Sequence, residues 1–175
     1  YYVPTLARLR EEGVARSTRR RDGRPDTAYE DEAWAFESYG TRDGSIDVGD
    51  SVTFSKLIDE GDVAAFADAS GDTNRLHLDA GFAEQTRFGR TIAHGTLVSG
   101  TISAALARLP GLIVYLSQEL SYTAPVDIGE RVTAHCEVTE ALGGDRFRLL
   151  TEVLDEDDAV VVEGDAVVLA DDLPS

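Results

Sequence analysis

A chain of 175 residues, 42% of them hydrophobic, holds one domain with a real core and leaves room for an extension. Its 33 acidic residues against 16 basic ones give a net charge of −17, which argues against nucleic acid or an anionic membrane as a partner of the domain as a whole. No apolar run approaches the roughly 18 residues of a membrane span, and no apolar leader with a small-residue cleavage site opens the chain, so a cytoplasmic protein is expected.

Lysine occurs once, at Lys56. Abundant Asp and Glu with scarce lysine is similar to proteins from extreme halophiles, in which molar salt screens self-repulsion over a few ångströms. An ordinary acidic cytosolic protein is the alternative. The one cysteine, Cys136, leaves no internal disulfide and no cysteine-based zinc site. His77, His94 and His135 have no familiar metal-ligand spacing, so no metal is expected.

Residues 1–45 read as an extension. Pro4 suits a first helical turn, and Leu6, Ala7 and Leu9 predict a short helix ending near Gly13. Arg16, Arg19, Arg20, Arg21 and Arg24 then cluster. They suit the acidic body of a partner subunit, a phosphate, or a solvated mobile stretch. Trp34 and Phe36, between Tyr29 and Tyr39, are expected to dock on the domain.

The domain proper is expected over 46–172. Ser51 to Phe54 reads as a strand. A helix follows from Asp59 to Ala69, with Val63, Phe66 and Ala67 at helical spacing, Asp59 as its cap and Gly71 as its stop. A polar loop from Asp72 to Asp79 precedes a short helix near Phe82 to Gln85. One long helix is predicted from His94 to Leu109, apolar around most of its circumference and therefore buried on most sides. Leu112 to Tyr122 reads as a strand and Ala124 to Gly129 as a turn. Val132, Ala134, Cys136 and Val138 alternate as a half-buried strand does. Gly143-Gly144 marks a hairpin. Phe147, Leu149, Thr151 and Val153 alternate again, and Ala159 to Ala170 forms the last strand. The order predicts an α+β fold, an antiparallel sheet curled around a central helix.

Two polar clusters flank that helix. In the first, Asp72 and His77 stand in one loop that can turn both side chains into a single cleft. A carboxylate beside an imidazole can hold a water between them, one group taking its proton and the other delivering one to carbon. In the second, Gly95 opens the buried helix, where unpaired N–H groups and the helix dipole favour negative charge on a carbonyl oxygen, worth about 3 kcal/mol per donor. Each residue also has a structural reading: Asp72 as an Asx turn, His77 as a satisfied ring, Gly95 as a helix start.

Taken together the motifs resemble the MaoC-like hydratases, and within them the (R)-specific enoyl-CoA hydratases. The resemblance rests on Phe66 to Asn74, Leu76-His77-Leu78-Asp79, Thr86 to Gly89, Ile92-Ala93-His94-Gly95, Ile113 to Leu120 and Pro125 to Glu130, and it covers about Val48 to Ala170. It implies a hot-dog fold and a homodimer whose two sheets join. It implies Asp72 and His77 as the catalytic pair, the Gly95 N–H as holder of the thioester oxygen and Ser103 as a supporting serine on the face of Thr96. Ser103 also has the reading of a small packing residue. It further implies that Asn74 shapes the catalytic loop, with Asn74 and His94 counted on the substrate side.

The reaction so implied is hydration of a trans-2-enoyl-CoA to the (R)-3-hydroxyacyl-CoA, with no cofactor beyond the substrate's own CoA. Arg87, Arg90 and Arg108 are the nearest candidates for its phosphates. Arg75 stands where the family has proline, which puts loop rigidity and substrate range in question; it is free to reach a CoA phosphate or a loop acid. Two other readings remain. A hot-dog thioesterase needs a carboxylate on or near the central helix, and none occurs from His94 to Leu109. A non-catalytic acyl-CoA-binding module needs no acid/base pair.

Overall fold

The computed structural model describes residues 28, 30–40 and 44–174. The expected helix before Gly13 and the arginine cluster 16–24 lie outside the described residues. The strands are β1 (Ala35–Tyr39), β2 (Ser51–Ile58), β3 (Leu112–Tyr122), β4 (Glu130–Gly143), β5 (Arg146–Leu154) and β6 (Val160–Asp171). They form one antiparallel six-stranded sheet in the order β1-β2-β4-β5-β6-β3. The helices are α1 (Glu60–Ser70), α2 (Arg75–Leu78), α3 (Ala80–Ala83) and α4 (Gly95–Leu106). Helix α4 touches β2, β4, β5 and β3, strands spread across nearly the whole sheet, so the sheet curls around it. No described helix is long and apolar enough to cross a membrane.

Local chemistry sets several boundaries. Asp59 accepts from the Asp62 N–H at 2.8 Å, and Asp62 accepts from the Asp59 N–H at 3.1 Å, a reciprocal capping box that starts α1. Gly71 stops it in the left-handed region, at φ 77°, which a glycine reaches without cost. On β4 the alternating Val132, Ala134, Cys136 and Val138 are all fully buried against α4 and the facing strands, as their period requires. Burial pushes the Cys136 thiol far above its ordinary range.

Three expectations need correction. The sheet begins before position 46: Ala35–Tyr39 is a sixth strand, paired in register with β2, and Trp34 beside it meets the Phe54 ring edge-on at 5.5 Å. The central helix is shorter than predicted and is not enclosed on most sides. Val98, Thr101, Ile102, Ala105 and Leu106 are buried, whereas Gly95, Thr96, Gly100 and Ser103 are exposed. The small residues between the large ones make a separate open face. The Asp72–Asp79 loop contains a helical turn, α2, and His77 rides on it.

Arg108 is also corrected. It is 5% exposed, donates to both Glu30 carboxylate oxygens and to the Ala104 carbonyl, and lies over the Phe54 ring at 4.4 Å. A planar guanidinium with an aromatic floor and a fork partner is a buried structural cation, out of reach of a phosphate.

Candidate active site

The first cluster is assembled by α1, α2 and the approach to α4. At the end of α1 the Ser70 hydroxyl donates to the Phe66 carbonyl at 2.6 Å and accepts from the Asp72 N–H at 3.1 Å. Asp72 Oδ1 then accepts from the Asn74 N–H at 3.2 Å. The Asx turn is therefore real, and it leaves Oδ2 without a hydrogen bond to any described residue. Asn74 caps α2, its side-chain oxygen accepting from the Leu76 N–H at 3.1 Å. Its side-chain oxygen thus shapes the loop.

His77 Nδ1 lies 2.7 Å from the Ile92 carbonyl. A carbonyl only accepts, so Nδ1 donates and Nε2 is the nitrogen left for chemistry. One ligand-type atom each from Asp72, His77 and His94 lie within 4.8 Å of one another. Groups gathered this closely can hold one water between them. One carboxylate and two imidazoles are also donor types that a divalent metal accepts. His94 would have only its buried Nδ1 to offer, because its Nε2 already bonds the Asp72 carbonyl at 3.0 Å.

His94 is corrected as a substrate contact: at 1% exposure its ring is inside the protein. It stands at the N-cap of α4 and provides no side-chain cap. The first N–H groups of α4 therefore have no side-chain acceptor of their own at the cap. Gly95, the first helical residue, is exposed, and a Cβ there would come within 2.9 Å of the Tyr122 ring. Tyr122, at the far end of β3, donates to the Ser99 hydroxyl at 3.4 Å and roofs this end of the helix. Ser103 lies exposed on the same open face as Thr96.

The arginines divide. Arg87 stacks on Phe88 at 5.0 Å and pairs with no described carboxylate. Arg90 donates to Asp127 at 2.6 Å and to the Phe88 carbonyl, in an open cleft that Asp59, Glu60 and Asp127 also line. A phosphate entering there meets three carboxylates, so Arg90 is poorly placed to bind it. Arg75 takes the loop acid, donating twice to Asp79 and lying over the Phe82 ring at 4.6 Å. The hydrogen bond from this guanidinium holds the Asp79 carboxyl below the usual range.

Residues 42–159 match the MaoC-like domain. The chain belongs to the MaoC-like family. Among curated relatives, the (R)-specific enoyl-CoA hydratase of Aeromonas caviae is 44% identical over 128 residues, spanning 71% of this chain and 95% of that protein. The solved (R)-hydratase of A. caviae, described as involved in PHA biosynthesis, superposes with a TM-score of 0.69 at 39% identity over 72% of this chain and 98% of that one. An Archaeoglobus fulgidus protein superposes with a TM-score of 0.70 at 32% identity, over 94% of this chain and 91% of its own. The MaoC-like chain therefore has the hot-dog fold of the solved (R)-hydratase.

Sequence reasoning did not find Tyr122 or Phe66 as part of this MaoC-like site. Phe66 reads in the sequence as one more apolar residue on α1, yet its ring meets His94 at 4.8 Å. Tyr122 gives no signal at all, since its proximity to Gly95 arises only when β3 crosses the start of α4.

Proposed function

We propose that this MaoC-like chain, working in the cytoplasm, hydrates trans-2-enoyl-CoA thioesters to (R)-3-hydroxyacyl-CoA. The observation that carries the reading is the gathering of the Asp72 carboxylate and the His77 imidazole within 4.8 Å of each other, next in space to an N-terminus of α4 without a side-chain cap. A water held between the two attacks the β-carbon of the enoyl group. A proton is returned to the α-carbon from the same pair, and the negative charge that develops on the thioester oxygen rests on the Gly95 N–H. Asp72 and His77 act as one coupled unit. Ser103 supports the cleft from the open face of α4, and Arg87, which of Arg87, Arg90 and Arg108 is the one without a described acid, is our candidate for a CoA phosphate. The reaction needs no cofactor beyond the substrate's CoA and no metal.

The proposed assembly is a homodimer joined through β3. This strand is a sheet edge, and Leu112, Val114, Tyr115, Leu116 and Tyr122 on it are exposed. An unpaired apolar edge is a liability that a second sheet removes. The likeness to the A. caviae protein supports a role in supplying hydroxyacyl-CoA for polyhydroxyalkanoate storage, with fatty-acid turnover as the competing use.

The test is loss of the enoyl-thioester absorbance of crotonyl-CoA in molar KCl, with analysis of the product. A retained thioester supports the hydratase; free CoA thiol would instead favour a hot-dog thioesterase, which the absence of Asp and Glu from α4 opposes. Folded protein that turns over neither crotonyl-CoA nor longer enoyl-CoAs would turn the reading to a binding module.

Adaptation to high salt belongs to the same proposal. With a net charge of −17, self-repulsion is screened over about 10 Å at 0.1 M salt and about 3 Å at 1 M. The melting temperature is expected to climb by about 10 °C between 0.1 and 2 M KCl. A melting curve that stays flat over that range points to an ordinary acidic protein.

A further inference from the structure

We propose that His94 is a positioning residue that braces the Asp72–His77 pair, setting the loop of one at a fixed distance from the ring of the other. The inference rests on the hydratase reading of that pair.

Four observations meet at this ring. His94 occupies the N-cap of α4, where Ser, Thr, Asp or Asn would normally stabilise the helix, and it makes no capping bond. Its side chain turns inward to 1% exposure. Nε2 donates to the backbone carbonyl of Asp72 at 3.0 Å, which ties down the residue that presents the carboxylate. One neighbour of the ring is His77, with centroids 4.0 Å apart and planes inclined by 33°; another is Phe66, at 4.8 Å.

The chemistry of the position is costly for packing alone. Nδ1 is buried and has no hydrogen-bond partner among the described residues. A leucine or phenylalanine would fill the space without stranding a polar atom. An imidazole is therefore retained for what only it supplies here: a donor aimed at the Asp72 carbonyl and a flat face against His77. Since the bond is to the main chain, His94 acts on where Asp72 sits. His77 is fixed from two directions, by the Ile92 carbonyl in its plane and by the His94 ring against it. A displacement of about 1 Å in such a pair can cost about a hundredfold in rate, because the bridging water loses one of its holders.

Two substitutions separate the donor from the ring. His94→Phe keeps a flat face and loses the donor; His94→Gln keeps an N–H near the position of Nε2 and loses the ring. Crotonyl-CoA hydration is measured for both beside the wild type, with melting temperatures. The expected result is a kcat about a hundredfold lower for His94→Phe at a KM within about threefold of wild type, and recovery of most of that loss in His94→Gln. Wild-type kcat in a folded His94→Phe overturns the brace, and so does a folded His94→Gln as impaired as His94→Phe. If His94→Phe does not fold, His94→Leu, which also lacks the donor, takes its place, and the same two outcomes decide. A wild type that hydrates no enoyl-CoA sinks the hydratase reading instead. The brace is then tested by the His94 Nε2 proton in nitrogen-correlated NMR: slow exchange with solvent upholds the bond to Asp72, and fast exchange refutes it.

Discussion

Replacing Asp72 by Asn or His77 by Ala is expected to lower kcat for crotonyl-CoA hydration by about 10²–10⁴-fold while leaving the protein folded. Asp72 is exposed and contributes one side-chain contact, to the Asn74 N–H, which an asparagine oxygen still accepts. The charge needed to take or hold a proton is lost, and the loop is kept. His77 is half-buried on α2 and gives up its bond to Ile92 and its contact with His94. The double variant is expected to be little worse than the weaker single one, because two groups holding one water act as a unit. Steady-state kinetics on all three, with circular dichroism as the check on folding, decide the matter. A single variant that keeps a tenth or more of wild-type kcat removes that residue from the chemistry.

The largest stability effect is expected at Gly164, on β6 opposite Leu120 of β3 and Thr151 of β5. A Cβ built there would overlap the main chain of Glu119 and Leu120. Backbone cannot rotate aside as a side-chain tip can, so β3 has to move as a strand. The Gln118 amide crosses here to the Thr151 hydroxyl and the Asp165 carbonyl, both at 3.0 Å, and those bonds go with it. Gly164→Ala is expected to destabilise the fold by about 3 kcal/mol, the upper end of ordinary overpacking. Urea unfolding measures it, and a loss below about 0.5 kcal/mol would mean that β3 has slack there. Activity should fall with it, because β3 carries Tyr122 to the mouth of α4.

Much of the local structure around the candidate site was legible because its signals are local. The capping box at Asp59 and the left-handed stop at Gly71 are set by residues four or fewer positions apart, and the turn that follows puts Asp72 at the head of its loop. The alternation on β4 and β5 named the buried face correctly at Ala134, Cys136, Val138, Leu149 and Val153, since side-chain direction in a strand has period two whatever the partner. Asn74 as a loop-shaping residue also follows from short range, through its own cap of α2.

Other features depend on which distant segment arrives beside a residue. The small residues of α4 read as part of a helix buried on most sides, because hydropathy records what a face can tolerate and leaves open whether a neighbour covers it. Arg108 reads as a free cation until Glu30 and Phe54 close over it. His94 reads as a polar residue beside a cleft until its ring turns inward between His77 and Phe66. By itself the sequence determined most of the elements and their inward faces, since each follows from chemistry within a few positions along the chain, and it put forward Asp72 and His77 as candidates for acid/base work. Only the tertiary structure decided burial, pairing and which nitrogen of each histidine is committed, because those follow from contacts between segments far apart in the chain that the curled sheet brings within a few ångströms.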